Sequence, residues 1–140
     1  MEIDIRLDCS EVNWSVVSET LKRVGMAYHD PDIHRRAFEN SYVTAFAYRG
    51  GELVGFGRAI SDGTYQAAIY DVAVIPELQR SGVGTAILKC LLSRLSQCHV
   101  ILYASPGKEP FYRRLGLRAM KTGMALFRNA EQMRLRGFTD

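Results

Sequence analysis

The stretch Tyr70-Asp71-Val72-Ala73-Val74-Ile75-Pro76-Glu77-Leu78-Gln79-Arg80-Ser81-Gly82-Val83-Gly84 decides the fold. Its opening residues complete a β-branched run from Ala67 to Ile75 that reads as a strand, closed by Pro76. From Gly82 to about Leu95 the apolar positions Val83, Ile87, Leu88, Leu91, Leu92 and Leu95 recur at helical spacing. A strand, a turn and a glycine-led helix make a ready anion site. The first N–H groups of a helix lack intrahelical partners, and the helix dipole adds partial positive charge there. Gly82 and Gly84 let the backbone approach phosphate oxygens with no Cβ in the way. Arg80 adds a charge, and Ser81 and Thr85 add hydroxyl donors.

Two other phosphate loops fail on the residues. A Walker loop needs Gly-Lys-Ser/Thr, whereas Gly84 is followed by Thr85-Ala86. A dinucleotide fingerprint needs a small residue where Ile87 stands. It also needs an acidic ribose partner about 20 residues on; the strand there ends Leu102-Tyr103-Ala104.

Upstream, the alternation of Ile3, Ile5 and Leu7 predicts a strand over 2–7. Ser10 reads as the cap of a helix carrying Val12, Val16, Val17, Leu21 and Val24, ending near Gly25. A second helix is predicted from Asp32 to Asn40, introduced by Asp30-Pro31. Strands are predicted over Tyr42–Tyr48 and Leu53–Ile60, joined by the hairpin signal Arg49-Gly50-Gly51-Glu52. Downstream, His99–Ala104 is short enough for a buried strand, and Pro110–Gly116 reads as a glycine-ended helix. Leu117–Met120 and Met124–Arg128 are predicted as a final strand pair around Thr122-Gly123. The last dozen or so residues read as a short helix or a frayed tail. With no linker or repeat to divide it, the chain reads as one α+β domain over 1–140.

Composition narrows the classes. An apolar content of 47% with 24% charged residues fits a globular core and excludes a disordered or fibrous chain. The longest apolar runs are too short to span a bilayer, so no membrane partner is expected. The residues from Met1 to Ile5 lack the basic-then-apolar layout of a secretion signal, and a cytoplasmic protein is the expectation. Cys9, Cys90 and Cys98 have no metal-ligand spacing, and neither do His29, His34 and His99, so no metal is expected. These histidines read as surface or half-buried imidazoles. The net charge of +3 is too small to suggest nucleic-acid binding. A local basic cluster, Lys108, Arg113, Arg114, Arg118 and Lys121, reads either as a solvated face or as a partner for an anionic ligand.

The segment from Tyr70 to Gly84 closely resembles the acetyl-coenzyme A motif of the GNAT superfamily of N-acetyltransferases: a strand, then Gln/Arg-x-x-Gly-x-Gly/Ala at a helix start. Phe111-Tyr112-Arg113-Arg114-Leu115-Gly116-Leu117 is similar to the second signature of that family, Phe-Tyr-x-x-x-Gly-Phe. Element order agrees from Ile3 to about Arg128. The resemblance implies a mixed, mostly antiparallel twisted sheet of about six or seven strands with about four flanking helices.

It also implies acetyl-coenzyme A as cosubstrate, no metal, and direct attack by a primary amine through a tetrahedral intermediate. Val72, Ala73 and Val74 would pair with the pantetheine arm, and Gln79, Arg80, Ser81, Gly82, Val83, Gly84 and Thr85 would hold the diphosphate. An N–H of Ala73 or Val74 would polarise the thioester carbonyl. Tyr112 matches the family's thiolate-protonating tyrosine; a phenol of pKa about 10 stays neutral at pH 7. Packing against the sulfur is its other role. Asp71 is the candidate base, directly or through water, with a structural role as the alternative. Strand alternation points Tyr70 and Asp71 to opposite sides unless the strand bulges.

Where many members carry a pantetheine-binding asparagine, this chain has Ser105-Pro106-Gly107-Lys108. Ser105 stands in for it, with Lys108, Phe111 and Arg114 also on the cofactor side. The acceptor side falls to Tyr28, His29, Arg35, Phe38 and Tyr70, and to Met120 and Met124. A small-molecule amine is the leading acceptor. A protein or aminoacyl-tRNA substrate and a non-catalytic coenzyme A-binding module are the alternatives. Dimers are common in the superfamily, which leaves a homodimer open.

Overall fold

Arg49-Gly50-Gly51-Glu52 does reverse the chain, with both glycines at positive φ, and the hairpin it closes is the middle of the sheet. The computed structural model describes residues 2–140. The first strands are β1 (Asp4–Arg6), β2 (Val43–Arg49), β3 (Glu52–Ser61) and β4 (Gln66–Val74). With β5 (His99–Ile101) they form one sheet in the order β1-β2-β3-β4-β5. The first three pairings are antiparallel and β4–β5 is parallel. The helices are α1 (Trp14–Arg23), α2 (Pro31–Glu39), α3 (Val83–Ser93), α4 (Glu109–Arg114) and α5 (Ala130–Leu135). A 3-10 turn, Pro76–Leu78, links β4 to the loop before α3. The chain divides into two compact units, one reaching Leu102 and one from Tyr103 to Asp140. Among the described residues no helix is long and apolar enough to cross a membrane.

In the first unit the two faces of the sheet carry different helices. Phe46, Phe56 and Ala73 cluster with Val17 and Leu21 of α1 and Phe38 of α2. Trp14 tilts against Phe38 at 5.5 Å and meets Phe46 edge-on at 5.8 Å, geometries that aromatic pairs favour. The opposite face receives α3 through two glycines. A Cβ at Gly57 would lie 3.1 Å from Leu91 Cδ1 and 3.2 Å from Ile87 Cγ2. One at Gly55 would lie 2.9 Å from Ile87 Cδ1 and 3.0 Å from the Ala73 carbonyl oxygen. The bare strand therefore sets how closely the phosphate-loop helix approaches the sheet. Gly55→Ala is expected to destabilise the fold by about 1–3 kcal/mol through overpacking, read as a lower urea midpoint with an unchanged m-value.

Three expectations are corrected. Ser10 does not cap α1: its hydroxyl donates to Asp8, and Asn13 accepts the Ser15 N–H at 3.1 Å. Among the described residues the sheet has five strands, slightly fewer than the six or seven expected, and there are five α-helices where about four were expected. The missing strands are those predicted over 117–128, which carry no ladder. Met124 is 96% and Leu126 80% exposed, so their face covers nothing, while Phe127 packs edge-on against Tyr103. A two-stranded hairpin without a buried face is marginal in water.

In the second unit, α4 ends at Leu115 in a glycine cap. Gly116 has φ +96°, its N–H donates to the Arg113 carbonyl, and the Leu117 N–H donates to that of Tyr112. The two bonds satisfy the last carbonyls of this short helix. α5, with Met133 buried, resolves the tail as a helix.

Candidate active site

β4 is irregular where the chemistry was expected. Phe56 pairs with Ala73 and Arg58 with Tyr70, so Gly57 alone on β3 faces both Asp71 and Val72 on β4. The extra residue is a bulge, and Asp71 takes it up at φ +58°. Aspartate tolerates this left-handed region better than most residues, yet such a conformation still costs on the order of 1–3 kcal/mol. The bulge changes which way the side chains point. Asp71 Oδ2 accepts a hydrogen bond from Arg58 Nε at 2.8 Å, and the Tyr70 ring lies 5.5 Å from the same guanidinium. Tyr70 and Asp71 thus both reach Arg58, on the face bearing α1 and α2. Val72 turns to the α3 face, its Cγ2 beside Gly57.

β5 pairs with β4 only through Gln66, Ala67 and Ala68. Beyond Ala68 β4 runs on to Val74, and on this edge Asp71–Val74 has no strand partner among the described residues. On the other edge it stays tied to β3: Ala73 and Val74 pair with Phe56 and Gly55, and Ile75 N–H donates to Val54. The result is a strand edge held rigid on one side and open on the other.

The loop beyond it is braced from within. Gln79 Nε2 donates to the Val74 carbonyl at 3.2 Å, and Ser81 Oγ donates to the Leu78 carbonyl. Arg80 sits at φ +64° and Gly82, the residue preceding α3, at φ +95°. The Ala86 N–H to Gly82 carbonyl bond, 3.0 Å, opens the helical ladder. The N–H groups of Val83, Gly84 and Thr85 precede it and point out of the helix start. Nothing lies within 4 Å of where a Gly82 Cβ would stand. The predicted diphosphate residues thus form one structure, with exposed Arg80 and Gly82 and half-buried Gly84 and Thr85 at its mouth. This set fits a diphosphate. Ser81 differs from expectation only in that its hydroxyl hydrogen is spent on Leu78, leaving the oxygen's lone pairs outward.

The acceptor candidates separate. Phe38 is 1% exposed and packs among Trp14, Phe46 and Phe56; it is a core residue, which corrects its placement at the acceptor. Tyr28 is exposed, beneath Lys22. Arg35 is exposed and paired with Asp32 at 3.0 Å. His29 is exposed but held at both ends of its backbone: its N–H donates to His34 Nε2 at 2.8 Å, and its carbonyl accepts from Ser18 Oγ.

Arg58, bonded to Asp71, and buried His34, bonded to the His29 backbone, adjoin the candidate residues and were not singled out from the sequence. The signal for Arg58 was present: one charge inside the apolar run Leu53–Ile60. His34 carried none, since only the fold reveals that it is buried. Burial pushes its imidazole below the ordinary 6.5, His29 and Arg58 add to the effect, and Asp71 opposes it. Its Nε2 acts as an acceptor, so the neutral ring carries its proton on Nδ1 and protonation would break the bond to His29. A histidine depressed in the fold binds fewer protons there than when unfolded. Stability is accordingly full above pH 6.5 and falls as pH drops through the lowered value. Asp62, Glu77 and Glu131 are also depressed, by hydrogen bonds chiefly, but from ordinary values of 3.8, 4.5 and 4.5, a separate window. His34→Gln is expected to remove the stability slope just below pH 6.5; thermal melts at stepped pH check it.

In the second unit, Ser105 starts a turn in which its carbonyl accepts the Lys108 N–H at 2.9 Å. Gly107 N–H donates to Glu109 Oε1. Lys108 and Arg114 are exposed, and Phe111 and Tyr112 are half-buried with their rings edge-on at 5.0 Å. Burial raises the Tyr112 phenol above the ordinary 10. Met120 and Met124 are exposed.

A bulged β4, an open strand edge and a glycine loop leading into α3 define an acyltransferase of the GNAT type. Residues 12–127 match the family described as the acetyltransferase (GNAT) domain, and the chain belongs to that family of N-acetyltransferases. It is 32% identical over 140 residues to serotonin N-acetyltransferase 2, chloroplastic, of rice, covering 92% of this chain and 70% of that one. It is 35% identical over 112 residues to an uncharacterized N-acetyltransferase of Porphyra purpurea, 77% of this chain and 59% of the relative. A GNAT-family acetyltransferase from Streptococcus pneumoniae superposes with a TM-score of 0.78 at 25% identity, covering 91% and 99% of the two chains.

Proposed function

We propose that this chain transfers the acetyl group of acetyl-coenzyme A to a primary amine of a small molecule. The observation that carries the reading is the open edge of Asp71–Val74, which runs directly into the braced loop Gln79–Gly84. An extended amide-bearing arm can add to such an edge as a strand does, with its diphosphate at the α3 start. Bound there, acetyl-coenzyme A supplies an activated thioester. A backbone N–H of Ala73 or Val74, just past the bulge, stabilises charge on the carbonyl oxygen. Asp71 takes the proton of the incoming ammonium, which must be neutral to attack. The resemblance gives Tyr112 the proton for the departing thiolate, and its burial-raised phenol retains that proton at neutral pH.

For the acceptor, the support is the rice relative, whose name specifies serotonin, together with the aromatic and carboxylate pair Tyr70 and Asp71 on one face. A ring and an anion side by side suit an arylalkylamine. A second reading, acetylation of a protein lysine, is favoured by a soybean relative named histone acetyltransferase, 34% identical over 102 residues. Thiol release is the test, with serotonin and other arylalkylamines, polyamines, aminosugars, amino acids and a lysine peptide as acceptors. Turnover with a small amine is expected. Turnover with the peptide alone would overturn the small-molecule reading, and none with any acceptor would overturn the enzymatic one.

A further inference from the structure

We propose that Arg58 is a positioning residue for acetyl transfer: it fixes Asp71 in its bulged conformation with the carboxylate turned to the acceptor. The inference rests on Asp71 being the base. A left-handed backbone at a non-glycine residue persists only where its surroundings over-determine it. Here the surroundings are specific. The ion pair is largely shielded, with side chains 15% and 24% exposed. Arg58 is itself immobilised: its guanidinium lies 5.7 Å from the Phe38 ring and 5.5 Å from the Tyr70 ring. Its Nη1 reaches Ser41 Oγ at 3.4 Å, and Ser41 is in turn tied to the Ala37 carbonyl at 2.8 Å. The core aromatic Phe38 and the end of α2 are thereby linked through Arg58 to the carboxylate.

The bond engages Asp71 Oδ2 and so sets the side-chain rotamer. The other oxygen, Oδ1, then has a fixed direction in which to receive a proton. In the step, an N–H bond of the acceptor ammonium breaks, an O–H bond forms at Asp71, and the amine keeps its electron pair for the acetyl carbon. The proton later leaves the carboxyl group to solvent. Arg58 exchanges no proton and touches neither substrate.

The test compares Arg58→Gln, Arg58→Lys, Asp71→Asn and Arg58→Gln/Asp71→Asn in steady-state acetylation of the amine that the parent chain prefers. Arg58→Gln is expected to lower kcat at least tenfold with the KM for acetyl-coenzyme A within twofold. Arg58→Lys keeps the charge without the planar fork and is expected to fall between it and the parent. The double variant is expected to be no slower than Asp71→Asn alone, since both changes remove one device. Losses that multiply in the double variant, or a parental kcat in Arg58→Gln, overturn the proposal and leave the acetyltransferase reading standing. An active parent with an undiminished Asp71→Asn overturns it too, by removing the base. No turnover by the parent refutes the functional reading and the proposal together. A crystal structure of Arg58→Gln gives a readout apart from activity: several Asp71 rotamers support the proposal, and one unchanged rotamer overturns it.

Discussion

Gly84→Asp is expected to weaken acetyl-coenzyme A binding at least about 100-fold while leaving the fold intact. Gly84 is the second residue of α3, and the side chain of the variant would leave the helix within its first turn. Two like unit charges about 4 Å apart repel by about 4 kcal/mol at the effective dielectric of a protein surface. Only about 2.8 kcal/mol is needed for a 100-fold loss. Stability moves the other way. Glycine is a poor helix former, and a carboxylate in the first turn complements the helix dipole. The urea midpoint should therefore hold or rise as affinity collapses, a combination that a merely structural Gly84 cannot produce. Calorimetric titration with acetyl-coenzyme A beside urea denaturation reads both. Parental affinity in the variant would remove the diphosphate from this loop.

The same loop shows how far the sequence could be read. Helix α3, its glycines and the Gly50-Gly51 hairpin follow from local rules of spacing and turn chemistry, and they stand where expected. The bulge at Asp71 does not follow from any local rule. Alternation would send Tyr70 and Asp71 to opposite faces, and only the pairing with β3 shows the added residue. Local rules also leave out the neighbours of the candidate site: the lone charge of Arg58 in its apolar run does not name its partner, 13 residues away on another strand, and His34 gives no sign of its bond to a loop backbone five residues away. Phe38 misled in the opposite sense. An aromatic in a region of family variation looked ligand-facing until the cluster with Trp14, Phe46 and Phe56 claimed it. Residues 117–128 had the pattern of strands without a surface to cover, and pattern alone does not make a ladder.

Tyr112→Phe is expected to lower kcat about 100-fold, with the KM for acetyl-coenzyme A nearly unchanged. The substitution removes one hydroxyl and keeps the ring, so the edge-on contact with Phe111 at 5.0 Å survives. The two roles open to Tyr112 then part. If the ring serves only to pack, phenylalanine serves as well and the rate is parental. If the hydroxyl protonates the thiolate, its loss costs what a positioned general acid contributes, about 100-fold to 10,000-fold. Burial places the phenol above 10, so it holds its proton throughout the neutral range, and the deficit should be the same at pH 7 and pH 9. A thioester with a more acidic thiol needs the proton less, and with such a donor the gap between variant and parent should narrow. A gap of constant size across donors of differing thiol acidity would take Tyr112 out of the acid role even if the variant is slow.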